Sequence, residues 1–62
     1  MSLIDRNEAL QKATREHNWV YWGMDDVYLA NSYASVRLGH ESEDVEVLLC
    51  RMKKAEKELD AL

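Results

Sequence analysis

Hydrophobic residues recur at alternating intervals of three and four in the last third of the chain, at Val45, Leu48, Met52, Ala55, Leu59 and Leu62. This is the a/d spacing of a helix that packs lengthwise against another helix. The repeat lasts only about two and a half heptads, and an isolated coiled coil that short would be weak. The pattern therefore predicts a C-terminal amphipathic helix that needs support from the rest of the fold. It leaves open whether the stripe packs inside the chain or also against a second chain.

The size of the chain limits what can stabilise it. Its 62 residues allow one domain, and domains this small usually depend on disulfides, a metal or a partner chain. Cys50 is the only cysteine, so no intrachain disulfide can form, and His17, His40 and Cys50 are too scattered in sequence for a zinc site. We therefore expect a single domain over 1–62 with no metal and no cofactor, stabilised by homo-oligomerisation, with a dimer as the expected state.

Few residues in this chain can interrupt a helix. There is no proline, and the only glycines are Gly23 and Gly39. The expected fold is therefore all-α: a small three-helix domain with a long amphipathic C-terminal helix, forming a homo-oligomeric helical bundle. The three helices are predicted at roughly 5–20, 26–38 and 42–61.

Capping residues suggest where these helices begin and end. Asp5 with Glu8 three positions later has the spacing of a capping box. Ser42 is placed to cap the third helix, and Gly39 to end the second in a left-handed conformation. Aromatic and β-branched residues give 18–22 a strong β-propensity, so this segment is left open between helix and strand.

All five aromatic residues lie in one stretch of the chain, at Trp19, Tyr21, Trp22, Tyr28 and Tyr33. Such a cluster is typical of a core, but tryptophan and tyrosine are also favoured anchors of protein interfaces. Part of this cluster, together with the C-terminal stripe, forms the predicted partner-binding set: Trp19, Trp22, Tyr28, Val45, Leu48, Leu49, Met52 and Leu59.

Several functional classes lack their sequence signatures. The chain has no glycine-rich phosphate loop and no nucleophile elbow, so no catalytic residues are predicted and we do not expect an enzyme. A net charge of −4 without clustered lysine and arginine makes nucleic-acid binding unlikely on electrostatic grounds. No stretch of about 18 apolar residues is present, and with no leader and a lone thiol the expected location is the cytoplasm.

These observations predict a small cytoplasmic protein–protein interaction or regulatory module. It would self-associate through its C-terminal amphipathic helix and also engage another protein. One alternative is a DNA-associated regulator, either of helix-turn-helix type over 31–50 or of ribbon-helix-helix type with a strand at 18–22. A second alternative is an acidic inhibitor whose 41–46 segment occupies a basic site on another protein.

Overall fold

The computed structural model describes residues 2–62 and has five elements: α1 (Leu3–Ala13), β1 (Trp19–Gly23), β2 (Asp26–Ala30), β3 (Ser35–His40) and α2 (Val45–Asp60). The strands form one antiparallel sheet in the order β1-β2-β3, and both helices pack on the same face of it. The fold is therefore α+β, and the prediction of an all-α helical bundle is wrong.

The predicted middle helix over 26–38 is replaced by β2, a tight turn and β3. Val27 and Leu29 are fully buried while Tyr28 between them points to the other face, which is the period of two that a strand requires. In the turn, Asn31 Oδ1 accepts hydrogen bonds from the backbone N–H groups of Tyr33 (2.8 Å) and Ala34 (2.9 Å). Such an Asx turn lets an asparagine side chain reverse the chain without a glycine or proline.

The segment left open between helix and strand is strand β1, which pairs with β2 through a two-residue hairpin turn. Both central residues of the turn have positive φ, 50° at Met24 and 69° at Asp25. Positive φ at both positions is the geometry of a type I′ turn, which usually carries Asn-Gly. Aspartate is tolerated at such positions but methionine is not expected there, so the hairpin has only a weak sequence signal.

Both helices begin away from their predicted positions, and α1 also ends earlier than predicted, whereas the end of α2 at Asp60 agrees with the prediction. Helix α1 stops at Ala13, and its N-cap is Ser2, whose Oγ accepts a hydrogen bond from the N–H of Asp5 at 3.2 Å. Helix α2 is capped by Asp44 rather than Ser42. The predicted C-terminal amphipathic helix is itself confirmed, because four residues of its stripe are buried along one side: Leu48, Met52, Ala55 and Leu59. At the two ends of the stripe, Val45 is half-buried and Leu62 is 76% exposed.

The core lies between the sheet and the two helices. It contains Leu10 of α1, the inward-facing strand residues and the α2 stripe: Val20, Val27, Leu29, Leu38, Leu48, Met52, Ala55 and Leu59. Four of the heptad residues, Leu48, Met52, Ala55 and Leu59, thus pack in the core of their own chain.

The end of β3 is tied to α2 by one ion pair. Arg51 Nη1 donates to the carbonyl of Leu38 at 3.0 Å and to Glu43 Oε2 at 2.7 Å, and Glu43 Oε2 also accepts from the N–H of His40 at 2.8 Å. Gly39 lies beneath this pair within β3, so it does not end a helix as predicted. A Cβ added at Gly39 would lie 2.6 Å from Arg51 Nη1, so a side chain there would displace the ends of the paired Glu43 and Arg51 side chains.

Candidate interaction surface

One face of the sheet is left uncovered because both helices pack on the other. Side chains alternate along the strands, so this face carries Trp19 and Tyr21 of β1, Asp26 and Tyr28 of β2, and Arg37 of β3. We call these five residues the aromatic face. Trp19 and Tyr21 are exposed there, at 44% and 38%, although large aromatic residues of a small domain are usually buried.

The two tyrosines of the aromatic face form a stacked pair across β1 and β2. Tyr21 and Tyr28 are directly opposite in the strand register, and their ring centroids lie 4.9 Å apart with the planes inclined by 10°. Beside them, Trp19 remains 44% exposed opposite Ala30. Cross-strand pairing therefore holds three aromatic side chains side by side at the surface.

The charges of the aromatic face are balanced. Arg37 Nη2 donates to Asp26 Oδ1 at 2.9 Å across neighbouring strands. The hydrogen bond to Asp26, followed by the charge of that carboxylate, raises the pKa of Arg37 above its ordinary value. This surface pair contributes little stability, since both groups are partly exposed, but it leaves the face without net charge.

The structure divides the predicted partner-binding residues between the surface and the interior. Trp19 and Tyr28 lie on the aromatic face. Trp22 lies on the opposite face of the sheet, half-buried against the core, with its indole Nε1 donating to Asn7 Oδ1 at 2.8 Å. The α2 residues are directed inward to different degrees: Val45 and Leu49 are half-buried, whereas Leu48, Met52 and Leu59 are buried in the core. Contact between chains through α2 stays a prediction.

Sequence reasoning missed three members of the aromatic face: Tyr21, Asp26 and Arg37. In a strand over 19–23, Trp19 and Tyr21 face outward and alternate with Val20 and Trp22, which face inward. This alternation is the signal from which Tyr21 could have been predicted. Arg37 was placed on a helix, where its cross-strand partner Asp26 could not be identified.

A second exposed feature is a groove where α1 meets the end of β1. Its volume is about 370 Å³, and it is lined by Leu3, Ile4, Asn7, Glu8, Trp22 and Glu41. Leu3 and Ile4 are 54% and 72% exposed. The groove therefore combines apolar walls with two carboxylates.

A buried carboxylate in α2 has a structural role. Glu56 is 7% exposed, and its Oε2 accepts hydrogen bonds from Thr14 Oγ1 (3.1 Å), the N–H of Arg15 (2.9 Å) and Asn18 Nδ2 (3.3 Å). All three donors belong to the α1–β1 loop, and together they satisfy this oxygen as a hydrogen-bond acceptor. The arrangement holds that loop against α2.

Other kinds of site are not formed by the described residues. Within residues 2–62, no three histidine, cysteine, aspartate or glutamate side chains lie close enough together to hold a metal ion. Neither helix in this range has the length and apolar character needed to cross a bilayer.

Comparison of the chain with protein families, with curated proteins and with solved structures finds no match.

Proposed function

We propose that this protein is a small protein–protein interaction module that self-associates through its aromatic face. The observation that supports this most is the placement of Trp19, Tyr21 and Tyr28 together on the uncovered side of the sheet. Rigid aromatic side chains lose little conformational entropy on binding and supply much of the affinity of protein interfaces. A role in positioning another protein, as a regulatory module does, is compatible with such a surface.

A second copy is the occupant that the charges favour. The chain has a net charge of −4, yet Asp26 and Arg37 balance each other on this face, so two copies do not repel one another there. In a twofold dimer the same patch meets itself. Arg37 of each chain can then pair with Asp26 of the other while the aromatic rings pack between them.

The size of the face limits the strength of this association. Strands of five to six residues and a width of three strands give a footprint of about 17–20 Å by about 14 Å. That is about 240–280 Å² on each chain, well below the roughly 800 Å² per partner of a standard interface, so only a weak association is expected, with a dissociation constant on the order of 10⁻⁴ M. The proposed dimer is therefore reversible and forms at high local concentration.

DNA binding is less well supported by this geometry. The helix that helix-turn-helix and ribbon-helix-helix motifs require within 26–38 is replaced by β2 and β3. On the aromatic face, Arg37 is the one cation, and it is paired with Asp26. Phosphate contacts need several free cations.

Sedimentation equilibrium between about 20 µM and about 1 mM tests the proposal. The wild type should shift from monomer to dimer over this range. The double variant Trp19→Thr/Tyr21→Thr keeps the β-propensity of β1 but removes two rings, and should remain monomeric.

The matched control is Tyr33→Thr, which removes an aromatic ring that is 87% exposed in the β2–β3 turn. It should dimerise like the wild type. A wild-type protein that stays monomeric at about 1 mM would contradict the proposal, and so would a Trp19→Thr/Tyr21→Thr variant that dimerises normally while folded.

A further inference from the structure

The groove between α1 and β1 lies at one end of the molecule. The start of α1, the β1–β2 turn and the β3–α2 loop all meet there. The N–H of Glu41 donates to the carbonyl of Asp25 at 2.8 Å, which joins the last two of these segments. We call this region the acidic end, because eight of the twelve acidic residues of the chain lie in it: Asp5, Glu8, Asp25, Asp26, Glu41, Glu43, Asp44 and Glu46.

The cations of the acidic end are already engaged within the protein. Arg6 donates to the backbone carbonyl of Glu43, Arg37 to Asp26, and Arg51 to Glu43 and Leu38. Glu8 and Glu41, which line the groove, take no part in any ion pair among residues 2–62. The negative charges of these two carboxylates at the groove are therefore screened by solvent and not neutralised by a neighbouring side chain.

The walls of the groove are apolar although they lie at the exposed surface of the protein. Leu3 and Ile4 occupy the exposed first turn of α1, and the Trp22 ring forms the facing wall. The indole N–H of Trp22 is satisfied by Asn7, so the ring requires no polar partner from a ligand. At about 370 Å³ the groove is at the small end of binding pockets and is open to solvent on one side.

We propose that this groove binds a short segment of another protein that places one large apolar side chain between lysine or arginine residues. The apolar side chain would pack against Leu3, Ile4 and Trp22, while the flanking cations would pair with Glu8 and Glu41. Burial of the apolar group supplies affinity, and the acidic end supplies a faster association rate and selection against acidic segments. The groove shares no lining residue with the aromatic face, although Asp26 belongs to both that face and the acidic end, and peptide binding in the groove does not require self-association.

The experiment is selection of peptides from a random twelve-residue phage library on the immobilised protein at low surface density. Enriched peptides should contain one bulky aliphatic or aromatic residue flanked by at least two lysine or arginine residues. The consensus peptide is then synthesised and its dissociation constant measured by fluorescence anisotropy. Absence of enrichment, or enrichment of acidic or uncharged sequences, would overturn the proposal.

Variants locate the binding site on the protein. Glu8→Lys/Glu41→Lys should weaken binding of the consensus peptide at least tenfold. The matched control Glu16→Lys/Glu58→Lys makes the same charge change away from the acidic end and should weaken it less than threefold. Equal losses in the two double variants would mean that net charge alone attracts the peptide, which would overturn the assignment to the groove. Ile4→Ser, at a side chain 72% exposed, tests the apolar contribution without changing charge and should also weaken binding.

The two tryptophans distinguish this proposal from the one for the aromatic face. Trp22 lines the groove and Trp19 lies on the aromatic face. In NMR spectra the consensus peptide should shift the indole N–H signal of Trp22, whereas dilution of the protein alone should shift that of Trp19. A peptide that shifts only the Trp19 signal binds elsewhere and overturns the groove assignment, without bearing on self-association.

Discussion

The Glu56 carboxylate of α2 accepts a hydrogen bond from the backbone N–H of Arg15, although the two residues are 41 positions apart in the chain. The same oxygen accepts from Thr14 and Asn18, so one buried acceptor satisfies three donors of the α1–β1 loop. This loop sets where β1 starts and hence which residues of β1 face outward. The aromatic face therefore depends on a contact between α2 and the loop that immediately precedes Trp19.

Replacing Glu56 by alanine should lower the free energy of unfolding by about 2–3 kcal/mol, because Asn18 and the loop N–H lose their acceptor in a buried setting. Urea denaturation measures this. Glu58→Ala, at an exposed position two residues later in α2, is the control and should change stability by less than about 0.5 kcal/mol. Equal losses in the two variants would mean that the Glu56 hydrogen bonds contribute nothing specific.

The hairpin turn should be improvable. Met24 and Asp25 both adopt positive φ, a conformation that glycine adopts most readily, asparagine and aspartate occasionally, and methionine rarely. Met24→Asn/Asp25→Gly should therefore stabilise the protein by about 1 kcal/mol, measured as a higher melting temperature. Met24→Leu keeps the left-handed penalty at a position that is 97% exposed and should change little. Destabilisation by the Asn-Gly variant would contradict a type I′ turn.

The two glycines should respond differently to alanine. At Gly39 a new Cβ would lie 2.6 Å from Arg51 Nη1 and 3.0 Å from Leu48 Cδ2, whereas at Gly23 nothing lies within 4 Å. Gly39→Ala should cost about 1–3 kcal/mol by overpacking. Gly23→Ala should be close to neutral. Similar denaturation midpoints for the two variants would contradict the close packing of β3 on α2.

Acid should weaken the tie between β3 and α2. The hydrogen bond from Arg51, and then that from the His40 N–H, lower the pKa of Glu43 below its usual 4.5. A carboxyl whose folded pKa is depressed contributes stability that is present above the unfolded pKa and is lost as pH falls through the folded one. Urea midpoints should therefore drop below about pH 4.5, and less steeply in Glu43→Gln than in the wild type. An unchanged slope in this variant would contradict the pairing with Arg51.

How far the sequence predicts this fold differs between its two halves. The three-and-four spacing of Leu48, Met52, Ala55 and Leu59 correctly indicated α2 and its buried side, because a long periodic segment has one interpretation. The stretch 26–38 has two interpretations, because its short apolar runs fit a helix with a wide apolar arc as well as two strands. The unusual Met24-Asp25 turn removed the local signal that would have favoured strands.

The candidate surfaces were harder to predict because each is assembled by the topology. Trp19 and Tyr28 were expected to bind a partner, but their stacking neighbour Tyr21 and the pairing of Asp26 with Arg37 follow only from strand register. Likewise, Glu8 and Glu41 are far apart in sequence and meet at one groove only because α1 begins where β3 ends. The hydrophobic periodicity of one segment does not indicate which residues of distant segments lie close together in the fold.

Exchanging charges on the aromatic face tests self-association most directly. Asp26→Arg makes the face cationic and Arg37→Asp makes it anionic, so each variant should repel a copy of itself but attract the other. We would measure mass by light scattering at about 1 mM for each folded variant alone and for an equimolar mixture. Each variant alone should have the mass of a monomer, and the mixture should regain the mass of the dimer. A mixture that stays monomeric, or single variants that dimerise as the wild type does, would contradict it.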